Sequence, residues 1–118
     1  MYGGITMNNN NLGERYPFNV INCILGTHDR FPKDAEKAKE LIENQEFWAD
    51  YEKVLDMVDD ECKVLVINHF KEGKALNEIA LEEKVSYEVI EARLAKTLKQ
   101  LRHPSRSKIL SKYLQDIL

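Results

Sequence analysis

Apolar residues recur at three- and four-residue steps along the chain from Asp34 onward, the spacing that places them on one face of an α-helix. No stretch alternates apolar and polar residues with the two-residue period of a half-buried strand. The pattern therefore predicts an all-α fold, a compact helical domain without a sheet.

The first half of the chain is predicted to hold a short helix followed by a longer helical stretch. Pro17, at a first turn, and Gly26, just past the last apolar position, bound the short helix. The longer stretch covers residues 34–58, and Asn44 lies where it would divide that stretch into two helices.

Four further helices are predicted in the second half. Asp59 or Asp60 is a suitable N-cap for the first of them, and Gly73 ends it. The other three run from Leu76 to about Lys84, from Tyr87 to Arg102 behind an N-cap at Ser86, and from Pro104 to the C-terminus.

These elements divide the chain into a flexible leader (residues 1–15), a helical N-terminal part (residues 16–58) and a C-terminal domain (residues 59–118). The leader contains Gly3-Gly4 and four consecutive asparagines. Such residues bury little apolar surface, so nothing offsets the entropy cost of ordering them.

The composition is that of a globular protein, with 43% hydrophobic and 31% charged residues in a chain of 118. No apolar run approaches the ~20 residues that cross a bilayer, and the N-terminus lacks a signal-peptide pattern. We therefore expect a cytoplasmic protein with no membrane contact. The two cysteines, Cys23 and Cys62, fit no metal motif and are expected to be reduced and buried.

The chain shows no nucleophile, phosphate loop or paired carboxylates of the kind that enzymes use. Its three histidines have no metal-ligand spacing: His28, His69 and His103. We therefore expect neither an enzyme nor a cofactor or metal site, with His69 half-buried in the core. The aromatic residues Phe47, Trp48 and Tyr51 are expected to pack in the core in preference to binding a protein.

Charge is distributed unevenly along the chain. Residues 93–118 hold seven basic groups and one acid, whereas residues 1–92 hold 10 basic and 19 acidic groups, so nets of +6 and −9 give the chain its −3. A basic end of this kind suits a polyanion. A solvated helix face offset by acidic neighbours would produce the same pattern.

The segment from Leu76 to Ile90 has the spacing of a helix-turn-helix. Ala80 is the small residue needed where two helices cross, and Val85 is the apolar residue of the turn. Ser86 caps the second helix and Ile90 is its inward apolar residue. In such a unit the second helix enters the major groove of DNA and its first residues face base edges.

Three stretches resemble region 4 of bacterial sigma factors of the sigma-70 family: residues 68–80, residues 92–102 and the hexapeptide Leu101-Arg102-His103-Pro104-Ser105-Arg106. The hexapeptide, similar to the closing motif of primary sigma factors, is the most specific of them. The resemblance covers about 60 of the 118 residues, and nothing before about residue 55 resembles a sigma region, including the promoter-melting region 2.

The resemblance implies a DNA-binding transcription regulator, a sigma-like factor that contacts promoter-type duplex DNA. It also implies RNA polymerase as a partner, through the flap of the beta subunit. Two departures lie in the turn, where Lys84 replaces the usual glycine and Glu83 replaces an apolar residue. Where primary factors carry basic and amide residues, this chain has Tyr87, Glu88, Val89, Glu91 and Ala92.

Base contacts are accordingly assigned to Tyr87, Glu88 and Arg93, the last matching a basic residue of the smaller, extracytoplasmic-function type. Lys96, Lys99 and Arg102 are near neighbours on one helix surface and are expected to contact phosphates. The whole set of predicted DNA-binding residues is Ser86, Tyr87, Glu88, Arg93, Lys96, Lys99, Arg102 and Arg106.

A second function class stays open. The acidic start of the recognition helix and the overall negative charge also fit a protein-interaction module that kept the region 4 fold and lost DNA binding. Salt-dependent binding to DNA separates the two, because phosphate contacts release counterions.

Overall fold

A computed structural model describes residues 9–114 of the chain. Over that range it contains seven α-helices and no strand, so the predicted all-α fold is confirmed. The helices are α1 (Phe18–Leu25), α2 (Ala35–Ile42), α3 (Gln45–Leu55), α4 (Asp60–Val66), α5 (Leu76–Glu83), α6 (Tyr87–Leu101) and α7 (Pro104–Ser111). None of the helices in the described range is long and apolar enough to span a membrane.

Local capping signals explain several of the helix ends. Gly26, in the left-handed conformation with φ 67°, ends α1. Asn44 separates α2 from α3, and its side-chain oxygen accepts hydrogen bonds from the backbone N–H groups of Glu46 (2.8 Å) and Phe47 (3.1 Å). The predicted division of residues 34–58 into two helices is therefore confirmed.

The helix that begins at Asp60 changes its winding before it ends. Residues Ile67–Lys71 form a π-helical segment directly after α4, in which the backbone N–H of Glu72 bonds to the carbonyl of Ile67 at 3.0 Å. Gly73, with φ 76°, follows this segment and turns the chain toward α5. His69 is half-buried there, as predicted, with Nδ1 2.8 Å from the carbonyl oxygen of Lys74.

The predicted leader is too long at its C-terminal end. Residues Asn9–Glu14 form a 3-10 helix, and Leu12 is buried in the core. Gly13 packs so closely against the backbone of Asp29 that a Cβ at this position would overlap the Asp29 carbonyl oxygen. Leu12 packs against apolar residues that are distant in the sequence, so its local sequence did not predict its burial. The rest of the predicted leader, residues 1–8, lies outside the described range.

The larger of two apolar cores joins the first and second halves of the chain. Phe47 and Tyr51 are fully buried in it and Trp48 packs against it, which confirms the core role predicted for these aromatic residues. From the second half it takes Cys62, Val66, Leu101, Leu110 and Leu114. Residues on both sides of the predicted boundary at 58/59 therefore share one core.

A smaller core lies between α4, α5 and α6. Leu65, Ile79, Ala80 and Ile90 are buried in it. The half-buried Leu76 and Leu94 pack against this cluster. The smaller core fixes α6 against α5, and so decides which residues of α6 reach the surface.

Candidate nucleic-acid interface

The turn between α5 and α6 is closed by backbone hydrogen bonds that require one left-handed residue. The N–H of Val85 bonds to the carbonyl of Ala80 at 3.0 Å, and the N–H of Lys84 bonds to that of Leu81 at 3.3 Å. Lys84 has φ 60° and ψ 42°. This lysine thus adopts the conformation that a glycine would adopt more easily at the same place.

Ala80 occupies the position predicted for a helix crossing. It is buried between α4, α5 and α6 together with Ile90. Val85, the apolar residue predicted for the turn, is 37% exposed, and Leu76 and Leu94 cover the smaller core.

Ser86, the first predicted DNA-binding residue, is the N-cap of α6. Its Oγ accepts a hydrogen bond from the N–H of Val89 at 3.3 Å, as the sequence predicted. Tyr87 and Glu88 follow on the first turn and both are exposed. Their side chains are accessible to a ligand that approaches the start of α6.

Arg93, predicted to read bases, forms ion pairs with glutamates of two neighbouring helices. Its Nε is 3.1 Å from Glu61 of α4 and its Nη1 donates a hydrogen bond of 2.8 Å to Glu83 of α5. Only 13% of the side chain is exposed. Glu83 stands where the sigma pattern has an apolar residue, and its carboxylate joins α5 to α6 through the ion pair with Arg93.

The remaining predicted cations fall into two groups. Lys96 and Lys99 are exposed and form no ion pair within residues 9–114, and the same holds for Lys108. Arg102 is exposed, but its Nε donates to the carbonyl of Cys23 at 2.9 Å. Arg106 is half-buried, and its Nη1 donates to the carbonyl of Gln100 at 2.9 Å.

The outward face of α6 changes charge along its length. A rotation of about 100° per residue places five exposed residues opposite the buried Ile90, Thr97 and Leu101. They are Glu88, Ala92, Ala95, Lys96 and Lys99. The first half of this face therefore carries a carboxylate, the middle carries two methyl groups, and the second half carries two ammonium groups.

The N-terminal end of α7 is capped by a side chain of the protein itself. Pro104 is the first helical residue, as the sequence predicted. Nδ1 of His103 accepts a hydrogen bond from the N–H of Ser105 at 3.2 Å. This cap leaves fewer backbone N–H groups free to bind an anion at the start of α7.

Two features of α5 and α6 were not predicted from the sequence. Thr97 is completely buried, and its hydroxyl donates to the carbonyl of Arg93 at 2.7 Å. Leu81 is 79% exposed, although its neighbours Ile79 and Ala80 are buried. The sequence could have predicted the exposure of Leu81, because this residue lies off the apolar stripe formed by Leu76, Ile79 and Ala80.

The cysteines are both free thiols. Cys62 is buried and Cys23 is half-buried, where burial raises the pKa of the Cys23 thiol. Among the residues that the structure describes, no three histidine, cysteine, aspartate or glutamate side chains are grouped to hold a metal ion.

Comparison of the chain with protein-family models, with curated proteins and with solved structures finds no match in any of the three.

Proposed function

We propose that this protein is a DNA-binding transcription regulator in which α5, the turn and α6 form a helix-turn-helix of the sigma region 4 type. The observation that carries the proposal is the second half of the outward face of α6. Lys96 and Lys99 are exposed there without an ion pair in the described part of the chain, and the small side chains of Ala92 and Ala95 precede them. A phosphate backbone can approach such a surface closely.

Phosphate contacts supply most of the affinity in this proposal. Lys96, Lys99 and Lys108 bind phosphates as unpaired cations, and Arg102 adds a guanidinium that is already held in place by Cys23. Contacts of this kind position a protein on a duplex without reading its sequence. The protein therefore binds many duplexes with similar affinity.

Sequence preference comes from Tyr87 and Glu88 at the start of α6. A glutamate can accept a hydrogen bond from the amino group of cytosine in the major groove. Glu91, one turn further along, is exposed and repels nearby phosphates. Because Glu61 and Glu83 hold Arg93, base reading is limited to Tyr87 and Glu88.

RNA polymerase, through the flap of its beta subunit, is the protein partner that fits this proposal. The support for it is the resemblance of the second half to sigma region 4. Binding of the full chain to the isolated flap would test it separately from DNA binding.

A gel-shift titration on random duplex DNA tests the proposal directly. We expect affinity at low salt that falls as salt rises, and Lys96→Ala with Lys99→Ala should make the slope of log affinity against log salt shallower by roughly two units. The matched control is Lys39→Ala with Lys53→Ala, which removes the same charge from exposed positions on α2 and α3. An equal effect of the two pairs, or no binding by the wild type, would refute the proposal.

A second candidate function, a protein-interaction module without DNA binding, is favoured by a specific observation. Two glutamates hold Arg93, and the first two turns of α6 expose Glu88 and Glu91. Absence of DNA affinity together with stable binding to a protein would select this candidate.

A further inference from the structure

We infer that the surface around the α5–α6 turn binds a cationic amphipathic helix of a partner protein. This turn surface consists of Leu81, Val85, Tyr87 and Val89, with exposed fractions of 79%, 37%, 42% and 45%. The inference rests on the second candidate function, protein interaction, and does not require DNA binding.

The four residues lie at the same end of one helix pair. Leu81 belongs to the last turn of α5, Val85 to the connection, and Tyr87 and Val89 to the first turn of α6. The hydrogen bond from Val85 N–H to the carbonyl of Ala80 reverses the chain tightly, so the two helix ends are adjacent. Four of the seven exposed large apolar residues in the described range fall within residues 81–89. Clustered exposed apolar residues are typical of an interaction site, whereas single ones are ordinary.

The negative charge around the turn surface favours a positively charged partner. Residues 75–92 contain five glutamates and one lysine, a net charge of −4. Lys74 pairs with Glu82 at 2.9 Å and Arg93 pairs with Glu83, but Glu88 and Glu91 have no ion pair within the described chain. These two carboxylates are available to lysine or arginine on a partner. They repel an acidic protein and the phosphates of a duplex.

A helix is the form of partner that fits this surface. The range 9–114 contains no strand, so it offers no sheet edge to which an extended peptide could add. A helix can place apolar side chains at i, i+3, i+4 and i+7 against the turn surface while flanking lysines reach Glu88 and Glu91. Lys96 and Lys99 lie further along α6 and stay outside the contact.

The probe is a synthetic helix of about 18 residues, or five turns, with a leucine stripe flanked by lysines. A second peptide with every lysine replaced by glutamate is its control. Titration of the full-length protein by calorimetry should show binding of the lysine peptide alone. Glu88→Gln with Glu91→Gln should weaken that binding and reduce its salt dependence.

Three side-chain variants then locate the site. Leu81→Ser with Val89→Ser should weaken binding of the lysine peptide roughly tenfold, whereas Ile42→Ser, a residue of similar exposure on α2, and Lys96→Ala with Lys99→Ala should not. The serine changes are at exposed positions, and an unchanged melting temperature verifies that each variant is folded. Equal binding of both peptides, no binding of either, or loss of binding through Ile42→Ser or the lysine changes would overturn the inference.

DNA binding of the same variants separates this inference from the first proposed function. Leu81→Ser with Val89→Ser should leave the affinity for random duplex unchanged. Peptide binding without DNA binding supports the inference and refutes the first proposal, and DNA binding without peptide binding does the opposite.

Discussion

The guanidinium of Arg93 lies 2.8 Å from the carboxylate of Glu83, so the helix proposed to enter DNA is tied to the helix before it. The same side chain reaches Glu61 of α4 at 3.1 Å. One arginine therefore links three helices around the smaller core. The hydrogen bond that Arg93 donates to the carboxylate of Glu83 raises the pKa of Arg93, which keeps the guanidinium charged.

Arg93→Ala is expected to lower the free energy of unfolding by about 1–2 kcal/mol, because it removes two charged contacts from a mostly buried side chain. The affinity for random duplex DNA should change little. Urea denaturation and gel shifts measure the two effects. Lys96→Ala is the matched control: it should weaken DNA binding and leave the free energy of unfolding nearly unchanged. A large loss of DNA affinity with unchanged stability would restore the base-reading role of Arg93.

Lys84→Gly is expected to stabilise the protein by about 1 kcal/mol, since glycine adopts the left-handed conformation of this residue without steric cost. Lys84→Ala keeps the Cβ and should leave stability nearly unchanged. Thermal unfolding of the three proteins provides the measurement. If Lys84→Gly melts below the wild type, the turn does not require a left-handed residue.

Ala80→Leu is expected to cost ~1–3 kcal/mol, because additional carbon atoms must enter a filled space between α4, α5 and α6. Ala92→Leu introduces the same side chain at an exposed position of α6 and should cost little. Both can be compared by urea denaturation. Equal stability of Ala80→Leu and the wild type would show that Ala80 is not at a crossing.

Asp50 should make the stability of the protein depend on pH in the acid range. The hydroxyl of Tyr113 donates to it at 2.5 Å and Lys112 lies 2.9 Å away; these contacts lower the pKa of Asp50 below its ordinary value. A lowered folded-state pKa contributes stability that is complete above about pH 4, the ordinary value, and is lost as pH falls through the folded pKa.

Asp50→Asn should therefore cost about 1 kcal/mol at neutral pH and progressively less below about pH 4. Melting temperatures of the variant and the wild type between neutral and acid pH measure this difference. Glu43→Gln, which replaces an exposed carboxylate at the C-terminal end of α2, is the matched control. A difference that stays constant with pH would mean that Asp50 does not act as a carboxylate.

Features set by neighbouring residues in the sequence could be predicted, and those set by distant residues could not. Asn44 and Ser86 accept hydrogen bonds from backbone N–H groups within three positions, and Gly26 donates its N–H to the carbonyl of Asn22, so their sequence context was sufficient. The core position of Leu12 and the ion pairs of Arg93 depend on contacts across helices. A charge pattern alone does not show which cations already form ion pairs within the protein. The structure was therefore needed to separate Arg93, which is paired, from Lys96 and Lys99, which within residues 9–114 are free to contact phosphates.

The larger core also sets the smallest piece of this chain that can fold. A fragment of residues 59–114 would expose Leu101, Leu110 and Leu114, each of which gains about 1.5–3 kcal/mol from burial. Small domains have only ~5–15 kcal/mol of stability in total. The helix pair proposed to bind DNA is therefore not a portable unit, and a chimaera that transfers it to another protein must carry α1 to α3 with it.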